Sequence, residues 1–334
     1  MKCSLRIKYS CLYFLIFGIF YFLSPGSVRI LKKNDIVINR YACTFEILEF
    51  TERGNHDCTF VGERIWSFDA PRDGGWVVSV KPDGRDGKRI FQTAFYDDGF
   101  EVEMKSVDCA HDCLLVGNGS AISWREKDSS EHCAYIFYDY LEWETISKNA
   151  TIPITFDNCG AYTKVNLSQL GSKIYAFYGG GEDILLVSCN LFNDIYILQL
   201  GKGIENFGNG DFKHIAGNRY NGSYRIIAHL HQDGGLGEFA AHGGQYYDGA
   251  LYLASNDPSK CLVYRVQLGD KNTLEFEELS FNKYAGLRFG KLVYSYIDGL
   301  CIRDNKLYGQ ILNVNGIQSG KYVIVADLPD LDVI

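Results

Sequence analysis

The stretch Gln245-Tyr-Tyr-Asp-Gly-Ala-Leu-Tyr-Leu253 places two short apolar runs on either side of Asp248-Gly249. Asp-Gly is a favoured dipeptide for the two-residue turn of a β-hairpin, which requires positive φ angles. A third run, Leu262–Leu268, alternates apolar residues with Arg265 and Gln267 and has the period of a half-buried strand. The stretch therefore predicts short strands joined by tight turns.

The rest of the chain has the same character. Short runs of Tyr, Phe, Val and Ile are separated by Gly, Asn and Asp, and Asp98-Gly99 divides two further runs as a second tight turn. Beyond the N-terminal segment, no stretch keeps a helical period over 12 or more residues. Aromatic residues make up 14% of the 334 residues, a content that suits half-buried strands. The sequence therefore predicts an all-β protein.

One pattern recurs at five places: a strand that ends in an aromatic residue, a variable loop and a second aliphatic strand. The leading strands are Ile65-Trp66, Ile122-Ser-Trp124, Ile174-Tyr175, Leu251-Tyr252 and Leu307-Tyr308, and the second strands are 76–80, 135–138, 196–200, 264–268 and 322–325. The leading aromatic residues are 58, 51, 77 and 56 positions apart. A period in the fifties matches four-stranded propeller blades. We therefore predict a β-propeller of about five or six four-stranded blades over residues 34–334, with two β-sandwiches as the alternative.

The longest of these intervals indicates extra structure in the middle of the chain. It exceeds the interval that follows it by 21 positions. This predicts an insertion, or part of an additional blade, between Leu200 and Gly243.

One repeat resembles a known family. Ile174-Tyr-Ala-Phe-Tyr178 is followed by Gly179-Gly-Gly181 and then by Asn193-Asp-Ile-Tyr-Ile-Leu198. This order of an apolar strand, a glycine doublet and an Asn-Asp-aliphatic-Tyr strand is similar to a kelch repeat. The match covers about 30 residues at 172–200; Gly243-Gly244 gives a second doublet, while the other repeats lack it and the spaced Tyr and Trp pair is missing. The resemblance implies a propeller, most often a binding platform and in a minority of cases an enzyme.

A propeller hides its sheet edges when strands from both ends of the chain complete one blade. Two N-terminal segments have the character of such a strand, Val37-Ile38 and Phe45–Phe50. We expect one of them to lie beside Lys321–Ala326.

The N-terminal segment predicts the compartment. Three basic residues precede an uncharged apolar run of 13 residues, Cys11–Leu23, and Ser24 and Gly26 have the spacing of small residues at a cleavage site. The run is shorter than the roughly 20 residues that cross a bilayer. We therefore predict a signal peptide over residues 1–26, with an uncleaved signal anchor over 9–31 as the alternative. Both place the body outside the cytosol, either secreted or held at a membrane by this segment alone.

Net charge excludes one class of partner. The formal net charge is −8, and because the first 33 residues hold six basic and no acidic side chains, the remaining chain carries −14. Nucleic-acid binding requires clustered Lys and Arg facing phosphates. We therefore expect an extracellular or lumenal protein or glycan as partner, no nucleic acid, and contact with a membrane only through the N-terminal segment.

The predicted compartment determines what the cysteines and sequons indicate. In an oxidising compartment several of the 11 cysteines should pair, and local spacing favours Cys43–Cys58 and a bridge within Cys109, Cys113 and Cys133. The cluster formed by Asp108–Cys113 with His132-Cys133 contains metal-ligand residue types, but disulfides should win there. Glycan acceptor sequons occur at Asn118, Asn149, Asn166 and Asn221.

Histidines concentrate where the extra residues lie. Four of the seven fall within 214–242, and His229-Leu-His231 projects both imidazoles from one face if it lies on a strand. Asp233, Glu238 and His242 follow and supply further ligands or a base. With three nitrogens this is a Zn²⁺ site that activates water for hydrolysis; otherwise the histidines bond to backbone or solvent on a channel-facing strand.

Two functional hypotheses follow. The first is a secreted or membrane-tethered propeller that binds a protein or glycan through one rim and needs no cofactor. The second is a lumenal metal-dependent hydrolase or lyase with its site at the propeller mouth around His229 and His231. The serine-hydrolase elbow and the phosphate-binding loop are both absent from the sequence.

Overall fold

The computed structural model describes residues 30–31, 36–52, 57–68, 75–97, 100–102, 104–110, 113–118, 132–171, 174–178, 184–189, 194–200, 219–231, 241–255, 262–268, 274–280, 295–313 and 322–329. Within these residues, 25 strands form five sheets of four or five strands and one two-stranded ribbon. A 3-10 helix, Tyr140–Glu142, leads into the helix α1, Trp143–Ala150. None of the helices in the described ranges has the length and apolar character of a membrane span.

The sheets are numbered 1 to 5 in chain order, and each is given from its inner to its outer strand. Sheet 1 consists of β4 (Cys58–Val61), β5 (Arg64–Phe68), β6 (Gly75–Val80) and β7 (Lys88–Thr93). Sheet 2 consists of β10 (Met104–Ala110), β11 (Cys113–Asn118), β12 (Cys133–Phe137), β13 (Tyr162–Asn166) and β17 (Arg219–Gly222). Sheet 3 consists of β14 (Tyr175–Tyr178), β15 (Ile184–Cys189), β16 (Asp194–Leu200), β18 (Tyr224–His231) and β1 (Ile30–Leu31).

The last two sheets also take strands from the N-terminal part of the chain. Sheet 4 consists of β19 (Ala241–Tyr247), β20 (Ala250–Ser255), β21 (Leu262–Leu268), β22 (Leu274–Ser280) and β2 (Ile36–Ala42). Sheet 5 consists of β23 (Ser295–Arg303), β24 (Lys306–Asn313), β25 (Tyr322–Asp327) and β3 (Glu46–Glu49). The ribbon pairs β8 (Tyr96–Asp97) with β9 (Phe100–Glu101).

The inner strands of the sheets surround a common axis. They pack in the cyclic order β4, β10, β14, β19 and β23, and β23 returns to β4. Successive strands within each sheet are antiparallel up to the fourth. This arrangement is a β-propeller, so the predicted all-β propeller class is confirmed.

Within the described residues, the core clusters lie between neighbouring sheets. One cluster joins sheets 1 and 2, a second joins sheets 2 and 3, a third joins sheets 4 and 5, and a fourth joins sheets 5 and 1. All five residues of β12 are buried: Cys133, Tyr135 and Phe137 face the first cluster, and Ala134 and Ile136 face the second. Arg265, predicted on a polar face, is likewise only 8% exposed.

Ring closure follows one of the two predicted routes. β3 pairs antiparallel with β25, with Ile47 opposite Ile324 and Glu49 opposite Tyr322. The segment Phe45–Phe50 is therefore the closing strand, while Val37 and Ile38 lie in β2, which runs parallel to β22. Two other parallel strands, β1 and β17, cover the outer edges of sheets 3 and 2.

Three of the five predicted strand pairs are present, in sheets 1, 4 and 5. The two others are corrected. Tyr175 lies in the inner strand β14, which is separated from β16 by β15. The strand β12 pairs with β11. Its predicted partner, Ile122–Trp124, lies outside the described residues. The sequence between Leu200 and Gly243, where an insertion or part of an additional blade was predicted, supplies β17 to sheet 2 and β18 to sheet 3 within the described residues. The glycine triplet of the kelch-like repeat lies outside the described residues.

The Asp248-Gly249 hairpin has the predicted geometry. Both residues have positive φ, 44° and 82°, and Tyr247 pairs with Ala250. The turn matches the twist of the flanking strands because its backbone is left-handed.

Glycines permit the closest approach near the axis. A Cβ atom on Gly299 would lie 2.6 Å from Asp57 Cα, and one on Gly243 would lie 2.6 Å from Gly299 Cα. Because both contacts are with backbone, neither is relieved by a side-chain rotation.

We expect Gly299→Ala to lower the free energy of unfolding by about 3 kcal/mol, because its Cβ would overlap the backbone of Asp57 and Cys58. Gly249→Ala is the matched control: it has a positive φ but open space around it, so only the backbone penalty of about 1–2 kcal/mol applies. Urea denaturation of both variants measures the difference. Equal losses would show that the inner strands move apart easily.

Candidate functional site

The axis of the propeller holds a buried carboxylate that bonds to three sheets. Asp57 precedes β4 and is fully buried. Its Oδ1 accepts hydrogen bonds from Cys58 N at 2.9 Å and Leu300 N at 3.2 Å, and its Oδ2 accepts one from Val107 N at 3.0 Å. Burial raises the pKa of Asp57 well above its usual range, with a further contribution from Cys58. The carboxyl group therefore ties sheets 1, 2 and 5 together.

A second carboxyl group repeats this role one sheet later. Asp108 Oδ1 accepts from Cys109 N at 2.9 Å, and its Oδ2 accepts from Tyr178 N at 3.0 Å in sheet 3. Burial raises the pKa of Asp108 to about 7, against the lowering effect of these two donors. The backbone of Ala176 is also bonded to Ser106 Oγ, which donates to its carbonyl at 3.1 Å and accepts from its N–H at 2.8 Å.

These axial residues were not predicted, although the sequence holds a signal for them. The dipeptides Asp57-Cys58 and Asp108-Cys109 are 51 positions apart, within the range of the blade period. Their side chains bond to neighbouring backbone, so they hold the ring together. Groups that could act on a ligand must therefore lie elsewhere in the molecule.

His229 lies on the fourth strand of sheet 3, beside the parallel strand β1. Its Nε2 lies 2.6 Å from Asp194 Oδ1, and its ring stacks on Tyr196 with centroids 4.1 Å apart and planes 11° from parallel. Both members of the pair are largely buried, with side chains 16% and 10% exposed. An ionised Asp194 makes Nε2 the donor, which fixes the tautomer and the orientation of the imidazole.

The remaining predicted metal ligands are distributed as follows. His231 is the strand partner of Asp194, and His242 lies on the inner strand of sheet 4. The side chains of these two histidines are outside the described residues. Asp233 and Glu238 are outside them altogether. Within the described side chains, no three His, Cys, Asp or Glu residues are grouped as metal ligands. The position of His229 corrects one expectation: it lies toward the outside of a blade and away from the inner strands that line the channel.

The predicted local disulfides are contradicted by the faces on which the cysteines lie. Cys43 packs with the cluster between sheets 4 and 5, whereas Cys58 belongs to the cluster between sheets 5 and 1. Cys113 faces sheet 3, while Cys109 and Cys133 face sheet 1. Cys133 lies beyond Gly117 in the strand register and Cys109 beside Leu114, so they are roughly 13–17 Å apart along the strands. Side chains on opposite faces of a sheet point away from each other and do not form a disulfide.

The four sequons have different placements. Asn149 is exposed in the last turn of α1, and Asn166 is exposed at the end of β13, where its Oδ1 accepts from Ser168 N at 3.0 Å. Asn118 and Asn221 are the last residue of β11 and a residue of β17, and their side chains are outside the described residues.

The segment 139–161 leaves sheet 2 and covers the outer strand of sheet 1. Ile154 forms a parallel bridge with Thr93; its N–H donates to Gln92 O and its carbonyl accepts from Ala94 N, both at 2.8 Å. Trp143 is fully buried beneath, and its Nε1 donates to Cys159 O at 2.9 Å. The segment is therefore firmly attached to the sheet edge that it covers.

Leu141 and Ile152 on this segment are 59% and 44% exposed, and Tyr96 in the ribbon is 56% exposed; these three side chains are here called the rim surface. They are three of the four large hydrophobic side chains exposed within the described ranges; Tyr246, at 37%, is the fourth. The guanidinium of Arg89 lies 5.8 Å from the ring of the half-buried Trp76 on the neighbouring strands. Trp66 and Trp143 are core residues, and Trp124 lies outside the described residues.

No family model matches the chain, and no curated protein matches it. Among solved structures, it is similar to glutaminyl cyclase from Myxococcus xanthus, with 9% identity and a TM-score of 0.39 over 88% of this chain and 100% of that chain. It is also similar to the PQQ-bound aldose sugar dehydrogenase from Streptomyces coelicolor, with 7% identity and a TM-score of 0.42 over 85% and 98% of the two chains.

A third similar structure is the WD40 β-propeller domain of Doa1, with 8% identity and a TM-score of 0.38 over 85% of this chain and 96% of that chain. The similar structures thus include enzymes as well as a WD40 domain. At these identities and TM-scores, no activity is transferred to this chain. The propeller assignment follows from the order of the sheets and the packing of their inner strands.

The raised pKa of Asp108 predicts a pH dependence. Because the folded-state pKa of about 7 exceeds the unfolded value of 3.8, the folded chain binds the extra proton, and stability falls as pH rises from about 4 to about 7. The full effect is up to about 4 kcal/mol. Asp108→Asn should remove this slope while costing about 1–3 kcal/mol at pH 4 for a lost acceptor.

Urea unfolding at several pH values gives the free energy of unfolding of the parent and of Asp108→Asn as a function of pH. The difference between these two curves is the contribution of the Asp108 carboxyl group. Asp327→Asn, at an exposed position in sheet 5, is the control and should keep the slope of the parent protein. Parallel curves for the parent and Asp108→Asn would contradict the assignment.

Proposed function

We propose that the chain is a five-bladed propeller that acts as a binding module and engages a protein partner through the rim surface. The observation that supports this proposal is that Leu141 and Ile152 are exposed on the segment that covers sheet 1, and that Tyr96 is exposed in the ribbon that follows sheet 1 in the chain. An aromatic ring and two aliphatic side chains on a firm backbone are the type of surface that gains from desolvation on association. Glycan binding is the neighbouring hypothesis, supported by Trp76 and Tyr96.

The axial chemistry supports the same choice. Asp57 and Asp108 each accept backbone N–H groups from adjacent sheets, so these carboxyl groups are used in holding the ring together. A partner is therefore expected on the outside of the ring. The net charge of −14 after residue 33 favours a partner with a basic or neutral surface around the apolar contact.

We also propose that the body lies outside the cytosol, secreted or held by its N-terminal segment. The exposed sequons at Asn149 and Asn166 are in positions that a glycosylating enzyme can reach. The division of the expressed chain between medium and membrane pellet of a secretory host separates the two arrangements.

We expect Leu141→Glu with Ile152→Glu to weaken partner capture. Both side chains are exposed, so the free energy of unfolding should change by less than about 1 kcal/mol, while binding should weaken about tenfold or more. The immobilised parent and variant chains are compared by quantitative mass spectrometry of captured extracellular proteins, with a glycan array as the second arm.

Tyr246→Glu, on sheet 4, is the matched control and should capture the same partner as the parent. A partner held equally by the parent and the Leu141/Ile152 variant would reject the rim surface. Binding confined to the glycan array would replace a protein partner by a carbohydrate.

A metal-dependent hydrolase or lyase is the second candidate, and the bond between His229 and Asp194 favours it. A carboxylate that orients a histidine is the usual support of a metal ligand. Because this bond engages Nε2, a metal would be bound through Nδ1, with His231 on the same strand as a second ligand and Zn²⁺ as the expected ion. Asp233, Glu238 and His242 are candidates for the third ligand or the base.

Elemental mass spectrometry of the purified chain tests this candidate. A stoichiometric metal in the parent should disappear in a folded His229→Ala/His231→Ala variant and persist in a Tyr196→Phe control, which keeps the stacked ring. Metal at the same level in all three proteins, or in none, would reject the site.

A further inference from the structure

Two buried thiols meet where the first and last sheets of the ring come together. Cys58 begins β4 and Cys301 lies in β23, and their Sγ atoms are 3.7 Å apart although the residues are 243 positions apart in the chain. Cys58 is 1% exposed and Cys301 is 0% exposed. The pair lies in the core cluster between sheets 5 and 1, beside Val80 and Val323.

The backbone fixes the spacing of this pair independently of the thiols. Asp57 and Leu300, the residues that precede the two cysteines, are joined by the hydrogen bond from Leu300 N to Asp57 Oδ1 at 3.2 Å. Asp57 also caps Cys58 N, and Gly299 allows the two strands to approach without a Cβ between them. A disulfide needs sulfurs about 2 Å apart, so each sulfur has to move by only about 1 Å, which a small side-chain rotation supplies.

We propose that Cys58 and Cys301 are a disulfide-forming pair that covalently closes the propeller ring in an oxidising compartment. The oxidant is a disulfide donor, such as glutathione disulfide or the oxidised dithiol of a folding catalyst. The thiolate of one cysteine attacks the donor disulfide, forms a mixed disulfide and releases one donor thiolate. The thiolate of the second cysteine attacks the protein sulfur of that mixed disulfide and releases the other donor thiolate.

The exchange conserves both atoms and electrons. Two protein thiols lose two electrons and two protons, and the donor disulfide becomes two thiols. The hydrogen bond to Cys301 and burial raise the pKa of the Cys58 thiol well above its usual range, so the folded thiol is a poor nucleophile. The exchange therefore belongs to the folding chain, as β4 and β23 come together.

Peptide mapping of the unreduced protein tests the pair directly. Trypsin releases peptide 54–64, in which Cys58 is the only cysteine, and peptide 292–303, in which Cys301 is the only cysteine. We expect chain from a secretory host, alkylated before digestion, to yield these peptides joined, with the mass of both less two hydrogen atoms. Recovery of both peptides separately and alkylated would overturn the proposal.

A stability measurement supplies a second readout. Reductant should lower the melting temperature of the parent by about 5–10 °C and leave a Cys58→Ala/Cys301→Ala variant unchanged. Cys159→Ala removes a buried thiol from the cluster between sheets 1 and 2 and should keep the response to reductant. If the double variant does not fold, the peptide map and the parent with and without reductant still decide. The map does not depend on any partner or metal, so failure of the proposed function would leave it unaffected.

Discussion

The Asp57 carboxyl group is the interaction on which the ring depends. The inner strands of neighbouring propeller sheets are linked covalently only through the connecting loops. Non-covalent contacts must therefore hold these strands side by side. Asp57 does this by accepting N–H groups from its own sheet and from the sheets before and after it. The bonds offset the cost of burying the carboxyl group, and the raised pKa shows that the offset is incomplete.

The packing between sheets explains why the strands of this chain are difficult to assign to faces. In a sheet with one wet face, apolar and polar residues alternate, but here consecutive residues of β11 and β12 enter different core clusters. Polar residues are buried too when outer strands are covered, as Lys164 is at 3% exposure beneath the parallel strand β17. The strands β1, β2 and β17 pair with the fourth strands of sheets 3, 4 and 2 and become the outer edges of those sheets.

Local features of the fold were predictable from the sequence. Asp248-Gly249 determines a turn by its own backbone preferences. Phe45–Phe50 is an apolar-rich run of strand length, with Phe45 and Ile47 packed on one core cluster and Leu48 and Phe50 on another, and both expectations are met. The predicted pairing of Tyr175 was wrong because the inner strand β14 is itself rich in aromatic residues, and the strand β15 between β14 and β16 contains none. Sequence spacing alone does not distinguish the first strand of a blade from the second.

The candidate sites were less predictable, since they depend on which faces meet. Cys43 and Cys58 are close in sequence but lie on opposite sides of sheet 5, whereas Cys58 and Cys301 are in contact across the closure of the ring. The hydrogen bond between His229 and Asp194 likewise joins neighbouring strands separated by a long connection. Ring closure brings residues from opposite ends of the chain together, and no local window contains that information.

The closing strand also sets the order of events during synthesis. Glu46–Glu49 leaves the ribosome early, but its partner Tyr322–Asp327 follows about 270 residues later. At ordinary elongation rates the delay is roughly 15–55 s. During that time the closing strand has no partner, and Leu48 and Phe50 have no core to pack against. A need for chaperone protection of the N-terminal region therefore follows from building the last blade from both ends of the chain.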